Sequence, residues 1–132
     1  MDDIIKRLES GSFPAIKTAE DAQLLPLNTD LVFVKTLTDD IAQVLRGRPN
    51  LRAIGQDGNS HITDVGVAHL MSLPALEWLD LEWSELITDR ALAHIARMKS
   101  LRYVDIGFCR GTTEAGVRQL KKKRPKLEIE GE

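Results

Sequence analysis

The sequence predicts an α/β solenoid, a fold in which one strand–turn–helix unit is stacked repeatedly along a single axis. A tripeptide returns every 25 residues: Ile62-Thr63-Asp64 is followed by Ile87-Thr88-Asp89. Apolar residues return at the same spacing, in the columns Leu45, Leu70, Ile95, Leu120; Leu51, Leu76, Leu101; and Ile54, Leu79, Val104. So many columns in one frame indicate a true internal repeat.

Each unit is predicted to contain a strand and then a helix. Residues 76–81 and 101–106 alternate apolar and polar side chains, which is typical of a half-buried strand. The threonine of the tripeptide is suited to cap the following helix, and the acidic residue after it suits a first helical turn. Helical stripes follow at Val67, Leu70, Leu73 and again at Leu92, Ile95, Met98. The small residues Gly66, Ala91 and Gly116 share one column and indicate close packing where each helix begins.

We divide the chain into residues 37–132, which follow the repeat, and residues 1–36, which do not. The first 36 residues are predicted to form an N-terminal cap over the end of the core and a degenerate first repeat. They contain a short helix from Asp2 to Ser10 ended by Gly11, a second helical piece limited by Pro26, and a strand over residues 31–34. A last strand is expected within residues 127–130, with its register open by one residue. In the outer repeats, Arg48 and Lys123 replace buried apolar residues and are expected to face water.

Composition narrows the class of protein. The chain has 132 residues, 42% hydrophobic and 29% charged, which is a globular balance, and its net charge of -2 argues against a dedicated nucleic-acid binder. The single cysteine, Cys109, allows no internal disulfide. The first residues lack the pattern of a secretion signal, and no apolar run is long enough to cross a membrane. We therefore expect a cytoplasmic protein without membrane contact.

The repeat resembles the cysteine-containing subtype of leucine-rich repeats, which is found in the arms of F-box proteins and in many short bacterial repeat proteins. The resemblance rests on the pattern L-x-x-L-x-L-x-x-(N/S/C)…(I/L)-T-D-x-(G/A)-(L/V)-x-x-L, and it covers about residues 37–127. The column Asn59, Ser84, Cys109 occupies the position that names the subtype. The family implies a right-handed superhelix with a parallel sheet on its concave face. It implies little about function, because this scaffold serves many partners.

Candidates for catalysis are weak. His69 and His94 lie one repeat apart on neighbouring helices, about 10 Å apart by helix packing, and His61 is expected in a turn. Cys109 is predicted to be buried and structural, which would make its thiol unreactive. The sequence contains no metal-ligand spacing, nucleophile elbow or phosphate-binding loop. We expect no enzyme, no cofactor and no bound metal.

The outward face of the strands is the predicted site. Alternate strand residues point away from the core, and in the 25-residue frame these are Ala53, Gly55, Asp57; Trp78, Asp80, Glu82; and Tyr103, Asp105, Gly107. Glu128 and Glu130 are candidates to extend this face, and Trp83 either packs into its turn or adds to the surface. The hypothesis is that Trp78 and Tyr103 anchor a protein partner while the carboxylates select a basic segment. The opposing interpretation is that acidic residues only keep the face soluble.

Other functions stay open. Residues 121–124 form a basic run that either complements the end of the last helix or meets phosphates, although nucleic-acid binding is not favoured. The family resemblance suggests a recognition arm of a ubiquitin-ligase-like assembly, but no F-box is visible in residues 1–36. A structural subunit that docks through the solenoid end and an enzyme that uses the acidic face are the remaining alternatives. A monomer is the expected state.

Overall fold

The fold alternates helices and strands along one parallel sheet. A computed structural model describes residues 2–11 and 13–132. Its elements are α1 (Asp2–Ser10), β1 (Ala15–Ile16), α2 (Ala19–Gln23), β2 (Leu31–Val34), α3 (Asp39–Leu45), β3 (Ala53–Gln56), α4 (Asp64–Leu70), β4 (Trp78–Asp80), α5 (Asp89–Ala96), β5 (Tyr103–Asp105), α6 (Glu114–Lys123) and β6 (Glu128–Glu130). The sheet has six strands in the order β1-β2-β3-β4-β5-β6, so each strand pairs with its neighbours in sequence. This is a repeat-like α/β solenoid, as the sequence predicts.

The 25-residue frame is also the register of the sheet. Trp78 pairs with Tyr103, and Tyr103 pairs with Glu128, so residues one repeat apart become neighbours. The same register places Ile129 beside Val104 and fixes the last strand. The inward residues Ile54, Leu79 and Val104 are fully buried, and they meet the helix stripes in one continuous apolar core.

The recurring threonine begins every helix from α3 onward. Thr38, Thr63, Thr88 and Thr113 are the N-caps, and each side chain accepts a hydrogen bond from a backbone N–H in its own first turn. These caps confirm the role predicted from the tripeptide. Each cap satisfies a backbone donor that the helix itself leaves free.

The aspartate of the tripeptide links consecutive repeats, a role that was not predicted. Asp39 accepts two hydrogen bonds from Thr63, one from its backbone N–H at 2.8 Å and one from its hydroxyl at 2.6 Å. Asp64 binds Thr88 and Asp89 binds Thr113 with the same geometry. We call this series the Thr–Asp ladder. The last repeat has Glu114 at this position, and its side chain is 97% exposed.

The ladder accounts for the glycines of the small-residue column. A Cβ atom placed on Gly66 would collide with the carboxylate of Asp39 and with Ile62, and one on Gly116 would collide with the carboxylate of Asp89. At these two positions the close approach inferred at the helix starts is made by an aspartate side chain of the preceding repeat, whereas the third member of the column, Ala91, carries a Cβ.

Two residues differ from the predicted frame. Asn59 is exposed, and Ser60 takes the buried place in the turn, where it accepts a hydrogen bond from the hydroxyl of Ser84 at 2.7 Å. Arg48 does not simply face water, because its guanidinium donates to three backbone carbonyls after the start of α2, those of Ala22, Leu25 and Pro26. Two of these carbonyls also accept backbone bonds, Ala22 from Leu25 and Pro26 from Thr29, so the arginine adds a further donor where α2 ends.

The first helix, α1, packs on the outward face of β2 and β3. Ile4 is 1% exposed and forms a second apolar cluster with Leu31 and Ala53, which Leu8 and Phe13 join. Two ion pairs fix its ends, Arg7 with Asp30 at 2.7 Å and Asp3 with Arg52 at 3.1 Å. Within the described residues, no helix is long and apolar enough to span a membrane.

Candidate binding surface

The outward face of the sheet is divided between a covered part and an open part. In β3, Ala53 and Gly55 point outward as predicted, but α1 buries both. From β4 onward the face is open to solvent. We define the open face by the residues Trp78, Asp80, Glu82, Tyr103, Asp105, Glu128 and Glu130. It contains all five of the residues predicted for partner binding.

The aromatic residues of the open face are stacked. The rings of Trp78 and Tyr103 lie 5.0 Å apart between centroids and 8° from parallel, because the register places their Cα atoms side by side on β4 and β5. Both side chains are half-buried. They form one rigid apolar platform, which is the kind of surface that anchors binding partners.

A row of carboxylates lies next to this platform. Asp80 pairs with Asp105 and Asp105 with Glu130, so three acidic side chains follow one line across three strands. Asp80 Oδ1 accepts hydrogen bonds from the Glu82 N–H at 2.9 Å and from Gln56 Nε2 at 3.3 Å. An oxygen of Asp105 accepts one from the N–H of Gly107 at 2.8 Å. Short turns thus hold Asp80 and Asp105 in place.

Burial and like charge raise the pKa values of two of these acids. The pKa of Asp80 rises to about 6, chiefly because burial disfavours its charged form, and the negative charges of Asp105 and Glu82 add to this. Hydrogen bonds from Glu82 and Gln56 act in the opposite direction but do not cancel the rise. Burial and Asp105 also raise the pKa of Glu82. The open face therefore holds negative charge at neutral pH against an unfavourable environment.

In the described part of the chain, no lysine or arginine forms an ion pair with the acids of the open face. The cations near the sheet pair elsewhere, as Arg52 does with Glu77 at 2.6 Å and Lys121 with Glu132 at 2.6 Å. Within these ranges the carboxylate row has no cation of its own.

A second aromatic stack beside the open face was not assigned from the sequence. Trp83 and Phe108 stack with ring centroids 4.1 Å apart, and they are 38% and 57% exposed. Both backbones are left-handed, with φ of 65° and 56°, which is unusual for aromatic residues. Gly58 holds the same conformation one repeat earlier. The column Gly58, Trp83, Phe108 was therefore the signal in the sequence. Trp83 is 38% exposed and lies in its turn between Gly58 of the preceding repeat and Phe108 of the next.

Cys109 lies buried in the turn after β5. Cys109 is 5% exposed, burial raises its pKa to about 11, and its thiol donates to the carbonyl of Leu81 at 3.1 Å. These features fit the structural role predicted for it. Over residues 2–11 and 13–132, no three histidine, cysteine or acidic side chains are grouped closely enough to hold a metal ion.

The basic run ends the last helix. Lys121, Lys122 and Lys123 occupy the final turn of α6, where their charge complements the negative end of the helix dipole. Arg124 instead donates to the carbonyls of Met98 and Leu101, at 2.6 and 2.7 Å. Arg124 and Arg48 thus have the same role, since each guanidinium donates to backbone carbonyls of the preceding repeat.

Comparison with known proteins identifies no relative from which the role of the open face could be inferred. No protein-family model matches the chain, and no curated protein matches it in sequence.

Proposed function

We propose that this chain is a leucine-rich repeat protein of the cysteine-containing subtype and that it acts as a non-catalytic protein-binding module. The proposal is supported by the 25-residue strand–turn–helix unit and by Cys109 buried in the turn after β5. In such a repeat the sheet would line the concave side of the solenoid. The open face would then be the concave surface available to a partner.

The partner is a protein with a basic segment. The observation that carries this proposal is the row Asp80, Asp105, Glu130, which lies in register beside the Trp78–Tyr103 stack. Like charges directly opposite each other on adjacent strands destabilise a sheet. Lysine or arginine residues of a partner would relieve this repulsion, while the aromatic platform would supply buried apolar contact.

Selection of random peptides displayed on phage tests this proposal. We expect the wild-type protein to enrich peptides rich in lysine and arginine. Asp105→Lys should lose that enrichment by about tenfold or more, because it places a cation within the carboxylate row. Glu114→Lys is the matched control, since it makes the same change of charge at a side chain that is 97% exposed and outside the open face. Enrichment that survives Asp105→Lys would contradict the proposal.

A second candidate function is docking through the end of the solenoid. A cavity of about 410 Å³ opens beside the last helix, with Ile106, Phe108 and Val117 in its wall. This apolar surface could receive another subunit. In affinity capture from source-cell lysate, a partner lost with Val117→Lys but retained by Asp105→Lys would favour docking at the end. The reverse result would favour the open face.

A further inference from the structure

The boundary between α1 and the open face forms a groove. Its volume is about 360 Å³, and its apolar wall is made by side chains from both sides, namely Ile5, Leu8, Phe13, Phe33 and Trp78. Gly55 lies at the base of the groove, where Phe33, Leu8 and Trp78 converge: a Cβ there would lie 3.3 Å, 3.4 Å and 3.8 Å from them. This groove is a distinct feature of the open face and not a general property of the repeat.

Trp78 lines the groove with its half-buried indole ring. One face of the ring stacks on Tyr103 of β5, and its side toward β3 packs in part against the cluster of Ile4, Leu31 and Ala53. Where the ring is open to the groove it can attract a cation, since tryptophan is the aromatic side chain that does so most strongly.

Carboxylates stand at the rim of the groove. Asp80 and Glu9 both line it. Both hydrogen bonds found on the Asp80 carboxylate go to Oδ1, from Glu82 and Gln56, which leaves Oδ2 to accept from a ligand. No described lysine or arginine forms an ion pair with either carboxylate. An apolar wall that ends in negative charge is complementary to a side chain with an apolar stem and a cationic head.

We propose that this groove binds one arginine side chain of the partner's basic segment. The methylenes of the arginine would pack against Leu8 and Phe33, and its guanidinium would lie over Trp78 and donate to Asp80. Arginine fits better than lysine because a planar guanidinium can stack on an aromatic ring and donate to a carboxylate at the same time. This inference rests on the proposed function, since it names the residue that the open face selects.

Nuclear magnetic resonance titration with small arginine derivatives tests the groove directly. The probes are N-acetylarginine methylamide, its neutral analogue N-acetylcitrulline methylamide, and N-acetyllysine methylamide. We expect the arginine probe to shift the amide signals of Leu8, Gly55 and Asp80 in a saturable manner. Binding of the citrulline probe should be about fivefold weaker or more, because it lacks the charge that the carboxylates attract. The lysine probe should also bind more weakly than the arginine probe.

Two variants locate the effect. Asp80→Asn should weaken binding of the arginine probe about fivefold while leaving the citrulline probe unchanged. Glu114→Gln removes an exposed carboxylate far from the groove and should change neither. Equal binding of the arginine and citrulline probes would overturn the inference, and so would shifts that do not saturate or that do not depend on Asp80.

Failure of the arginine-probe titration can be distinguished from failure of the phage selection. If basic peptides are enriched but the arginine probe leaves the groove unshifted, the open face binds its partner without this pocket. If the arginine probe binds but no basic peptide is enriched, the pocket stands and the proposed protein partner does not.

Discussion

The covered and open parts of the outward face occupy equivalent positions of the same repeat, yet one is buried within the chain and the other is not. At one strand position β3 has Ala53 and β4 has Trp78, and two residues later they have Gly55 and Asp80. Small, uncharged residues let α1 approach the sheet in the first case. Large and acidic residues leave the surface to solvent in the second. The backbone is the same in both repeats, so the size and charge of the outward side chains decide which part of the sheet α1 covers.

The forces on the two parts also differ. The covered part is held mainly by apolar burial, since Ile4, Leu31 and Ala53 are at most 1% exposed. The ion pairs of α1 are partly exposed and contribute little by comparison. The open part concentrates negative charge and raises the pKa of Asp80. Apolar burial thus stabilises the covered part, whereas the ionised carboxylate of Asp80 lowers the stability of the open part.

The largest effect on stability is expected when the aspartate found in the open part at position 80 is placed at the equivalent position of the covered part, Gly55. Gly55→Asp would place a carboxylate under α1, between Phe33 and Leu8. Burying an unpaired charge there should lower the free energy of unfolding by about 3 kcal/mol, or release α1 from the sheet. Urea unfolding gives the first quantity, and hydrogen exchange of the α1 amides detects the second.

Gly55→Ala separates size from charge at the same position. Its Cβ requires Phe33 and Leu8 to move by only a few tenths of an ångström, so α1 should remain in place. If Gly55→Asp keeps both wild-type stability and protected α1 amides, our account of the division between the two parts is wrong.

Truncating the helix side of the covered part should have a somewhat smaller effect. Ile4→Ala should lower the free energy of unfolding by about 2–3 kcal/mol, since the side chain is nearly fully buried against Leu31 and Ala53. Ile5→Ala is the matched control, because Ile5 is 43% exposed on the same helix. Equal losses for the two variants in urea unfolding would show that α1 is not oriented by Ile4.

Neutralising the open part should stabilise the protein by the smallest amount. Asp80 has a pKa of about 6 in the folded protein against an ordinary value of 3.8. The folded state therefore binds more protons than the unfolded state between about pH 4 and 6, and the free energy of unfolding falls as pH rises through that window. Asp80→Asn removes this fall, so it should be about 1–2 kcal/mol more stable than the wild type at neutral pH.

The measurement is urea unfolding at several pH values on both sides of the window. The advantage of Asp80→Asn should shrink as the pH is lowered toward the ordinary pKa of aspartate. Glu114→Gln should show no such dependence. If the difference in free energy of unfolding between Asp80→Asn and the wild type did not change with pH, the pKa of Asp80 would not be raised in the folded protein.

The repeat made most of this fold predictable. Apolar columns identified the strands and the helix faces, and the threonine column identified the helix starts. The same frame brought together the aromatic pair Trp78 and Tyr103 and the row that begins at Asp80. These features depend on spacing along the chain, which a sequence states directly.

Other features depend on how neighbouring surfaces fit in space. The helix α1 was predicted, but its place on the sheet depends on the small side chains of β3, which only the packed structure relates to Ile4. The Thr–Asp ladder joins residues 24 positions apart through side-chain oxygens, while the sequence pattern suggested only a local cap. The Trp83–Phe108 stack was missed because it depends on the left-handed backbone of both residues, which the side-chain pattern does not reveal.

The Thr–Asp ladder gives the array a direction. Each aspartate receives hydrogen bonds from the unit that follows it, so every unit donates backward and accepts forward. The two ends of the array therefore differ chemically: the first unit begins with Thr38, which has no earlier aspartate in the series, and the last unit ends the series with the exposed carboxylate of Glu114.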